Sequence, residues 1–367
     1  MTTLRLALDA RMAQHGGIGT YIRHLAASLA GSPEIEHLCL VGAPPGSVPE
    51  SSTLCHHPLA TPPYSPREWL ASIPPLHHPA LWHSPHFNVL WRWRGPLVVT
   101  IHDLIHLKFP QYAKTRLAAP YAAWTLRRVI RRASALIVNS DTTRRDLCEW
   151  SGLDPRRVTV IPWGVSPTFG TPPPDDARRR VLDHYGIRPP FFLWVSAVRP
   201  HKNPLTLLKA FATFRARWDA PHQLVMVGPS YDWYPEPRRE AGRLALDATV
   251  RWLETIPYND LPVLYHAAEA LVMPSYYEGF GFPALEAMAC GTPVIASTTS
   301  ALTELVGTSG VTVDPDDIDG WSDALYNAWR NDQLRHALRE QGRLRAGQYT
   351  WERTAARHLE VYRTVLR

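Results

Sequence analysis

Two basic side chains and two carboxylates dominate the chemistry that this sequence could perform. Arg199 and Lys202 lie three residues apart, in a loop that follows an apolar strand pattern. Glu278 and Glu286 are separated by seven residues, where a glycine-rich loop leads into an apolar helical pattern. Cations in such a loop can bind the oxygens of a phosphate pair, and carboxylates can accept hydrogen bonds from sugar hydroxyls. The alternative is a surface ion pair for the cations and a structural role in a turn or helix start for the glutamates.

Backbone N–H groups accompany these side chains at two places. Residues 14–20 contain three glycines directly before a helical pattern, and free N–H groups at a helix N-terminus suit an anion. This segment matches neither the Walker pattern nor G-x-G-x-x-G, so a plain tight turn is the alternative. Residues 280–284 begin a second helical pattern, and their exposed N–H groups could bind sugar hydroxyls.

Histidine is abundant in the sequence, with 17 residues. His102 directly follows an apolar strand pattern, and a neutral core or surface histidine is the alternative to a role in the site. His106, Asp103 and the pair His83 and His86 are further candidates for binding an acceptor. Their spacing matches no closed set of metal ligands.

The remaining acids and thiols are not spaced for a metal ion. Asp175-Asp176 lies in a candidate linker, and Asp316-Asp317 follows a short late strand pattern, so no D-x-D motif stands in a suitable loop. The four cysteines form no C-x-x-C pair and are expected to be reduced, mostly buried thiols: Cys39, Cys55, Cys148 and Cys290.

The elements that must position these residues follow a repeating order of apolar strand and amphipathic helix, which is typical of parallel βαβ units. In the first half, strands are predicted near 4–9, 37–41, 97–101, 135–139 and 158–161, and helices near 20–30, 113–132 and 141–150. In the second half, strands are predicted near 191–196, 224–227, 249–253, 270–273, 293–296 and 311–313, and helices near 203–218, 261–267, 283–290, 300–305, 317–330 and 351–367. The segment 168–176 breaks the periodicity and is the predicted domain boundary.

Composition supports a folded globular protein. The chain has 367 residues, 45% hydrophobic and 20% charged, with a mean hydropathy of −0.21. No apolar run approaches the roughly 18 residues of a membrane span, and no secretory h-region is present, so a cytoplasmic location is expected. Residues 1–170 carry 17 basic against 10 acidic side chains, whereas residues 171–367 carry 22 against 23. The basic first half could attract an anionic ligand, nucleic acid or a lipid surface.

Taken together, these motifs resemble one enzyme family over nearly the whole length of the chain. The chain is similar to the retaining GT-B glycosyltransferases of family 4, also called group 1. The similarity rests on Glu278-x7-Glu286 within the stretch Pro274 to Val294, on Arg199-x-x-Lys202, on the turn Gly16-Gly17-Ile18-Gly19 and on His102-Asp103.

The resemblance implies a fold, a domain division and a role for each residue. It implies an α/β GT-B fold of two Rossmann-like, doubly wound domains with an interdomain cleft, namely 1–170 plus a C-terminal helix at about 350–367 on the acceptor side, and 171–349 on the nucleotide-sugar side. The implied catalytic residues are Arg199 and Lys202 on the diphosphate, Glu278 near the donor sugar and His102 facing that sugar. The implied donor-binding residues are Gly17, Ile18, Gly19, Phe280, Gly281, Phe282 and, on the ribose, Glu286.

The implied reaction is hexosyl transfer from a nucleotide diphosphate sugar to a glycan, lipid-linked or small-molecule acceptor, with no metal or other cofactor. The motifs His102-Asp103-Leu104 and Lys108-Phe109-Pro110 resemble the mannosyltransferase branch and favour GDP-mannose, with a UDP-sugar as the alternative. An epimerase or hydrolase on the same fold is a further alternative. Nucleic acid is not an expected partner, whereas Trp91-Arg-Trp-Arg94 suggests a peripheral contact with the inner face of a membrane.

Overall fold

The computed structural model describes residues 3–44, 46–48, 51–71, 80–112 and 115–367. The chain forms two compact units. The first comprises residues 1–164 and 349–367, and the second comprises residues 165–348. The chain therefore leaves the first unit at residue 164, six residues before the predicted boundary, and returns to it at residue 349.

The first unit is built on a parallel sheet of seven strands in the order β3-β2-β1-β4-β5-β6-β7. Helices lie between these strands in sequence, and one further helix comes from the returning segment. The strands are β1 (Leu4–Asp9), β2 (Ile35–Val41), β3 (Leu54–His57), β4 (Leu81–Ser84), β5 (Leu97–Ile101), β6 (Ala135–Val138) and β7 (Val158–Val160). The helices are α1 (Gly16–Ala30), α2 (Ile105–Lys108), α3 (Ala118–Arg132), α4 (Asp141–Ser151) and α13 (Trp351–Leu366).

The second unit has a parallel sheet of six strands in the order β10-β9-β8-β11-β12-β13. The strands are β8 (Phe191–Val195), β9 (Gln223–Val227), β10 (Val250–Leu253), β11 (Ala270–Met273), β12 (Val294–Ser297) and β13 (Val311–Val313). The helices are α5 (Asp175–His184), α6 (Pro204–Trp218), α7 (Glu236–Arg243), α8 (Leu261–Ala267), α9 (Phe282–Cys290), α10 (Ser300–Val306), α11 (Ile318–Arg330) and α12 (Asp332–Ala346). In each sheet the strand order changes direction at the strand that comes first in the sequence, β1 or β8. The predicted pair of doubly wound α/β units is therefore confirmed.

Each unit has its own apolar core. In the first, buried strand residues such as Trp82 and Val99 pack with Leu126 and Val129 of α3. In the second, Trp194 of β8 packs with residues of α6 and α11. Near-continuous apolar strands are what a parallel sheet covered on both faces requires.

The returning helix α13 is tied to the first unit by buried hydrogen bonds. Tyr21 Oη lies 2.7 Å from His358 Nε2, and Tyr362 Oη lies 2.7 Å from His83 Nδ1. At Gly164 the chain passes so close to this segment that a Cβ would lie 2.3 Å from the backbone nitrogen of Trp351. A glycine is therefore needed where the first unit closes on α13.

Two cysteines depart from the prediction. Cys39 and Cys55, expected to be thiols, form a disulfide, with their Cα atoms 4.7 Å apart. They are register partners on the neighbouring strands β2 and β3, a proximity that a spacing of 16 residues does not reveal. Cys148 and Cys290 are free, as predicted.

Within the part of the chain that the structure describes, no helix combines the length and the apolar character needed to cross a membrane.

Candidate active site

The predicted phosphate-binding cations lie in the loop after β8, which is the first strand of the second unit in the sequence. Arg199 precedes a 3-10 turn at Pro200–Lys202, and Asn203 ends this turn with a left-handed backbone, φ 53°. The Asn203 side chain donates a 2.7 Å hydrogen bond to the carbonyl of Pro315, which follows β13. The 3-10 turn and this hydrogen bond to the segment after β13 together fix the backbone positions of Arg199 and Lys202.

Lys202 and Glu278 form a nearly buried ion pair. Lys202 Nζ lies 2.7 Å from Glu278 Oε2, and the two side chains are 19% and 10% exposed. Ser275 Oγ donates to the other carboxylate oxygen at 2.8 Å, and the Glu278 N–H donates to Ser300 Oγ at 2.9 Å. Segments after β8, β11 and β12 thus meet at Glu278, the first two at its carboxylate and the third at its backbone N–H. This is the edge of a parallel sheet at which ligands bind.

Arg199 is exposed and is oriented by an aromatic ring that sequence reasoning did not identify. Its guanidinium carbon lies 5.2 Å from the ring centre of Tyr231, and Nη2 donates a long, 3.4 Å hydrogen bond to the Tyr231 hydroxyl. Trp233, 39% exposed, stacks on Tyr231 with ring centres 5.8 Å apart. The signal was the run of three aromatic residues within Tyr231 to Tyr234, directly after a strand end.

Glu286 lies inside α9 and is buried. Its Oε2 accepts a 2.8 Å hydrogen bond from Tyr265 Oη of α8. Burial raises the pKa of Glu286 to about 8, with the tyrosine hydrogen bond acting in the opposite direction. The carboxyl group is therefore protonated at neutral pH and can both donate and accept hydrogen bonds.

The segment before α9 needs a glycine at one position. Gly281 has φ 109°, and a Cβ there would lie 2.7 Å from the Leu302 side chain of α10. Phe280 is buried, and its ring meets that of Phe282 edge to face at 5.7 Å. The helix begins at Phe282, so the three predicted sugar-contacting residues lie at its N-terminus, close in sequence to Glu278.

The structure brings only part of the predicted set into direct contact. All of the second-unit candidates, Arg199, Lys202, Glu278, Glu286 and residues 280–282, belong to residues 165–348. Among them, Lys202 pairs with Glu278 and the ring of Phe280 meets that of Phe282. Arg199 and Glu286 instead contact the tyrosines of neighbouring elements.

The glycine segment of the first unit differs from the prediction. It is the first turn of α1, not a turn before a helix that starts at residue 20. The Gly19 N–H donates to the carbonyl of His15 at 2.9 Å, so it is engaged within the first turn of the helix, and the predicted role of Gly19 toward an anion stays a prediction. A Cβ at Gly19 would lie 2.5 Å from the Ala13 carbonyl oxygen, which explains the glycine by packing. Gly17 and Ile18 precede it in the same turn.

His102 is buried at the end of β5. Its Nε2 lies 2.5 Å from the carbonyl oxygen of Pro85, and its Nδ1 has no hydrogen-bond partner among the described residues. The rings of Tyr21 and Trp163 meet it edge-on at 5.3 and 5.0 Å. Burial lowers the pKa of His102 to about 4, so the ring is neutral at physiological pH. Its role opposite a donor sugar stays a prediction.

Most of the further candidates for binding an acceptor already form hydrogen bonds within the first unit. Both ring nitrogens of His83 are hydrogen-bonded, to Thr100 and to Tyr362, and both of His86 are hydrogen-bonded as well. Asp103 accepts the N–H of Ile105 at 3.0 Å, at the start of α2. These histidines therefore hold the strand ends in place and are not available to an acceptor.

The acidic pairs also have structural tasks. Asp175 and Asp176 begin α5 and form ion pairs with arginines of that helix, so this segment is not the linker that was predicted. Asp316 accepts a 2.6 Å hydrogen bond from Tyr276, and Asp317 caps α11.

The chain matches known protein families over most of its length. Residues 15–169 match the family described as Glycosyltransferase Family 4, and residues 183–345 match the one described as Glycosyl transferases group 1. The chain is 36% identical over 289 residues to D-inositol 3-phosphate glycosyltransferase of Salinispora arenicola, which covers 74% of this chain and 64% of that relative. The chain thus spans less than two thirds of the length of this relative.

Two further similarities agree. The chain is 28% identical over 286 residues to O-antigen chain mannosyltransferase B of Escherichia coli, covering 77% of this chain and 74% of the relative. The solved structure of Anabaena HepE in complex with UDP and glucose superposes with a TM-score of 0.77 at 19% identity, covering 98% of this chain and 99% of the other. The family matches, the relatives and the shared fold lead to one conclusion: this chain belongs to the group 1, or family 4, glycosyltransferases.

Proposed function

We propose that the chain is a retaining glycosyltransferase that moves a hexose from a nucleotide diphosphate sugar to a hydroxyl of an acceptor. The observation that carries the proposal is the Lys202–Glu278 ion pair with Arg199 in the same loop, at the carboxyl edge of the second sheet. One cation is balanced by a carboxylate and one is exposed. This edge therefore offers positive charge to a diphosphate beside a carboxylate suited to a sugar.

The proposed chemistry places these charges where the reaction develops its own. The bond between the anomeric carbon and the β-phosphate oxygen breaks, and its electron pair leaves with the nucleoside diphosphate. A bond to the acceptor oxygen forms as that hydroxyl gives its proton to the departing diphosphate. Negative charge grows on the diphosphate and positive charge on the sugar ring. Arg199 and Lys202 stabilise the first, and Glu278 stabilises the second. When the donor binds, Lys202 would exchange part of its contact with Glu278 for a phosphate oxygen.

GDP-mannose is the proposed donor, and a UDP-sugar is the second candidate. The similarity to the E. coli mannosyltransferase supports the first, and the fold shared with HepE, solved with UDP and glucose, supports the second. Lys108, part of the mannosyltransferase-like motif, forms an ion pair with Asp146 and so stabilises the first unit. The Salinispora relative is named for an inositol phosphate. A small phosphorylated polyol is therefore a further candidate acceptor, beside the glycan and lipid-linked acceptors.

Transfer is proposed to need no metal ion, because two cations already serve the leaving group and the nearby acids cap helices or bind tyrosine. Chelator should therefore leave the rate unchanged. Activity that vanished with EDTA and returned with Mg²⁺ or Mn²⁺ would contradict this account of the leaving group.

A peripheral contact with anionic lipid is proposed for the first unit. The rings of Trp69 and Trp91 stack 4.5 Å apart, and Arg128 lies 4.8 and 4.7 Å from the rings of Trp69 and Trp124. Trp124 is 46% exposed. Trp93, expected to belong to this cluster, packs inward, and its indole N–H donates to a backbone carbonyl. Flotation with anionic and with neutral vesicles tests the contact. Equal recovery of the protein with both kinds of vesicle would contradict the proposed contact with anionic lipid.

The deciding experiment is a panel of nucleotide sugars followed by kinetics on four variants. A donor at 100 times its Kd should add about 2.7 kcal/mol of stability. With that donor, Arg199→Ala and Lys202→Ala should each lower kcat by about 10²–10³-fold, because charge on the leaving group grows toward the transition state. Glu278→Ala should lower kcat, whereas Glu286→Ala should mainly raise the donor KM. Unchanged kcat in Lys202→Ala, in a folded variant, would overturn the assignment, and nucleotide release without an acceptor product would favour a hydrolase or epimerase.

A further inference from the structure

Two cysteines and a histidine gather at the edge of the first sheet, on strands that carry none of the candidate active-site residues. Cys39 lies on β2, and Cys55 and His57 lie on the edge strand β3. Cys39 and Cys55 are register partners, and His57 is two residues beyond Cys55, hence on the same face of its strand. One ligand atom from each of the three lies within 4.8 Å of the other two.

This spacing suits one tetrahedral metal ion. Zinc bonds to thiolate sulfur at about 2.3 Å and to imidazole nitrogen at about 2.0 Å, so two of its ligands lie somewhat under 4 Å apart. Once the disulfide is broken, the two sulfurs must move apart to this separation, and the imidazole nitrogen must approach them by about an ångström at most. Within the described ranges, they form the only group of three or more such side chains with this geometry.

The environment allows an ion to enter and keeps the ligands in place. Cys39 is buried, whereas Cys55 and His57 are half-buried on the outermost strand. The ladder holds their backbones, and it is extended by the Gly42 N–H, which donates to the His57 carbonyl at 2.8 Å. Two sulfur donors and one imidazole select a thiophilic ion such as Zn²⁺ over Mg²⁺ or Ca²⁺, which prefer oxygen.

We propose that Cys39, Cys55 and His57 bind one Zn²⁺ when the Cys39–Cys55 disulfide is reduced, with water in the fourth position. A phosphine reductant supplies the two electrons and becomes a phosphine oxide by taking oxygen from water, and the sulfurs gain two protons. Zinc then displaces both protons and binds two thiolates. The disulfide and the zinc site use the same sulfurs and so exclude each other. This inference does not depend on the proposed transfer reaction.

The test uses the full chain with any affinity tag removed. The protein is reduced with a phosphine, desalted without oxygen and titrated with Zn²⁺ in competition with a chromogenic chelator. Reduced protein should bind one equivalent and oxidised protein none at this site. Cys39→Ser and Cys55→Ser should each weaken binding by about 100-fold or more, since loss of even an outer partner of a metal ligand costs up to about that much. Co²⁺ in place of Zn²⁺ should show a thiolate charge-transfer band.

His56 provides the matched control, because it precedes His57 but points to the other face of β3 and is exposed. His56→Asn should bind zinc as the unmodified chain does, whereas His57→Asn should bind more weakly and keep the charge-transfer band with Co²⁺. Thermal unfolding without metal shows whether each variant is folded. If a serine variant does not fold, the two histidine variants alone test the proposal. Equal zinc affinity in His56→Asn and His57→Asn, or no thiolate band in reduced protein with titratable Cys39 and Cys55, would overturn the proposal.

Discussion

At the scale of single residues, Lys202 and Glu278 depend on each other for stability. Lys202→Met would leave the Glu278 carboxylate nearly buried without its cation. We expect this change to lower the free energy of unfolding by about 2–3 kcal/mol, somewhat less than for a fully buried pair. Adding Glu278→Gln should recover most of the loss. Urea unfolding of the two single variants and the double variant measures the coupling.

The pair Arg217–Asp323, whose side chains are 54% and 55% exposed, gives the control for that measurement. Arg217→Met should cost less than about 1 kcal/mol, because water already solvates both charges. A Lys202→Met variant no less stable than Arg217→Met would contradict the burial argument.

Glu286 should make donor affinity depend on pH. Its pKa of about 8 means that the carboxyl group is neutral below pH 8 and ionised above it. In the proposed donor complex, the ribose hydroxyls donate to Glu286 and do so more strongly to a carboxylate than to a neutral carboxyl group, so nucleoside diphosphate affinity should rise by up to about tenfold as pH increases through 8. Calorimetric titration of the unmodified chain and Glu286→Gln checks this, and a rise that persisted in the glutamine variant would assign the effect to another group.

His222 should weaken the second unit in acid. It is fully buried, stacks on Phe192 at 4.9 Å, and both its ring nitrogens lack a hydrogen-bond partner among the described residues. Burial lowers its pKa to about 4 from 6.5, so the unfolded state binds a proton first and stability is lost as pH falls from 6.5 to 4. We expect His222→Phe to add about 1 kcal/mol at pH 7 and more at pH 5.

Urea unfolding at the two pH values measures this effect. His336→Gln, at an exposed position of α12, should change neither value. A His222→Phe variant that loses stability at both pH values would show that the imidazole has a partner the packing does not reveal.

Residue types and spacing indicated candidate residues, whereas they did not indicate the partners of those residues. Arg199, Lys202, Glu278 and Glu286 were selected from two short local motifs, and their roles in a site stay predictions. Tyr231, Tyr265 and Ser300, which contact them, come from other segments of the chain, so no local pattern indicates them, whereas Ser275 shares the loop of Glu278. The pairing of Cys39 with Cys55 was missed for the same reason, since strand register decides it.

At the scale of elements, α13 completes the first unit through its hydrogen bonds. Tyr362→Phe removes the 2.7 Å contact with His83 Nδ1 and leaves that buried nitrogen unpaired. We expect a loss of about 1–3 kcal/mol in the free energy of unfolding. Urea unfolding measures it, with Tyr326→Phe, which keeps its stacking on Trp218, as the control. Equal stability of the two variants would mean that the Tyr362–His83 hydrogen bond adds nothing to the attachment of α13.

Most elements were predicted, including short strands, but two strands and four helices among the described residues were not. Strands β3 and β4, the one-turn helix α2 and the charge-rich helices α5, α7 and α12 were absent from the prediction. Packing against the rest of a unit stabilises such elements, and the local sequence carries little of that signal. Helix α1 begins at Gly16, four residues early, because glycines inside a helix read as a turn.

At the scale of the whole molecule, the two units should differ in their response to acid. In the first unit, burial lowers the pKa of five histidines, namely His24, His83, His86, His102 and His358. In the second it does so for His222 and His266. Each lowered pKa costs stability as pH falls below 6.5, so the first unit should unfold at a higher pH than the second.

Hydrogen exchange at stepwise lower pH distinguishes the two units. Peptides from β1 and β5 should lose protection before peptides from β8 and β9. The opposite order would show that the histidines of the first unit gain protons without unfolding it.

The return of the chain to its first unit has a consequence for how the protein is made. Residues 165–348 form the second unit from one uninterrupted stretch, whereas the first unit needs residues 349–367. During synthesis on the ribosome, the first unit therefore stays incomplete until helix α13 is made, which happens only after the whole second unit has been made. Domains usually fold in the order of their synthesis. Here the later unit can reach its final structure first, while the earlier one exposes the surface that α13 will cover.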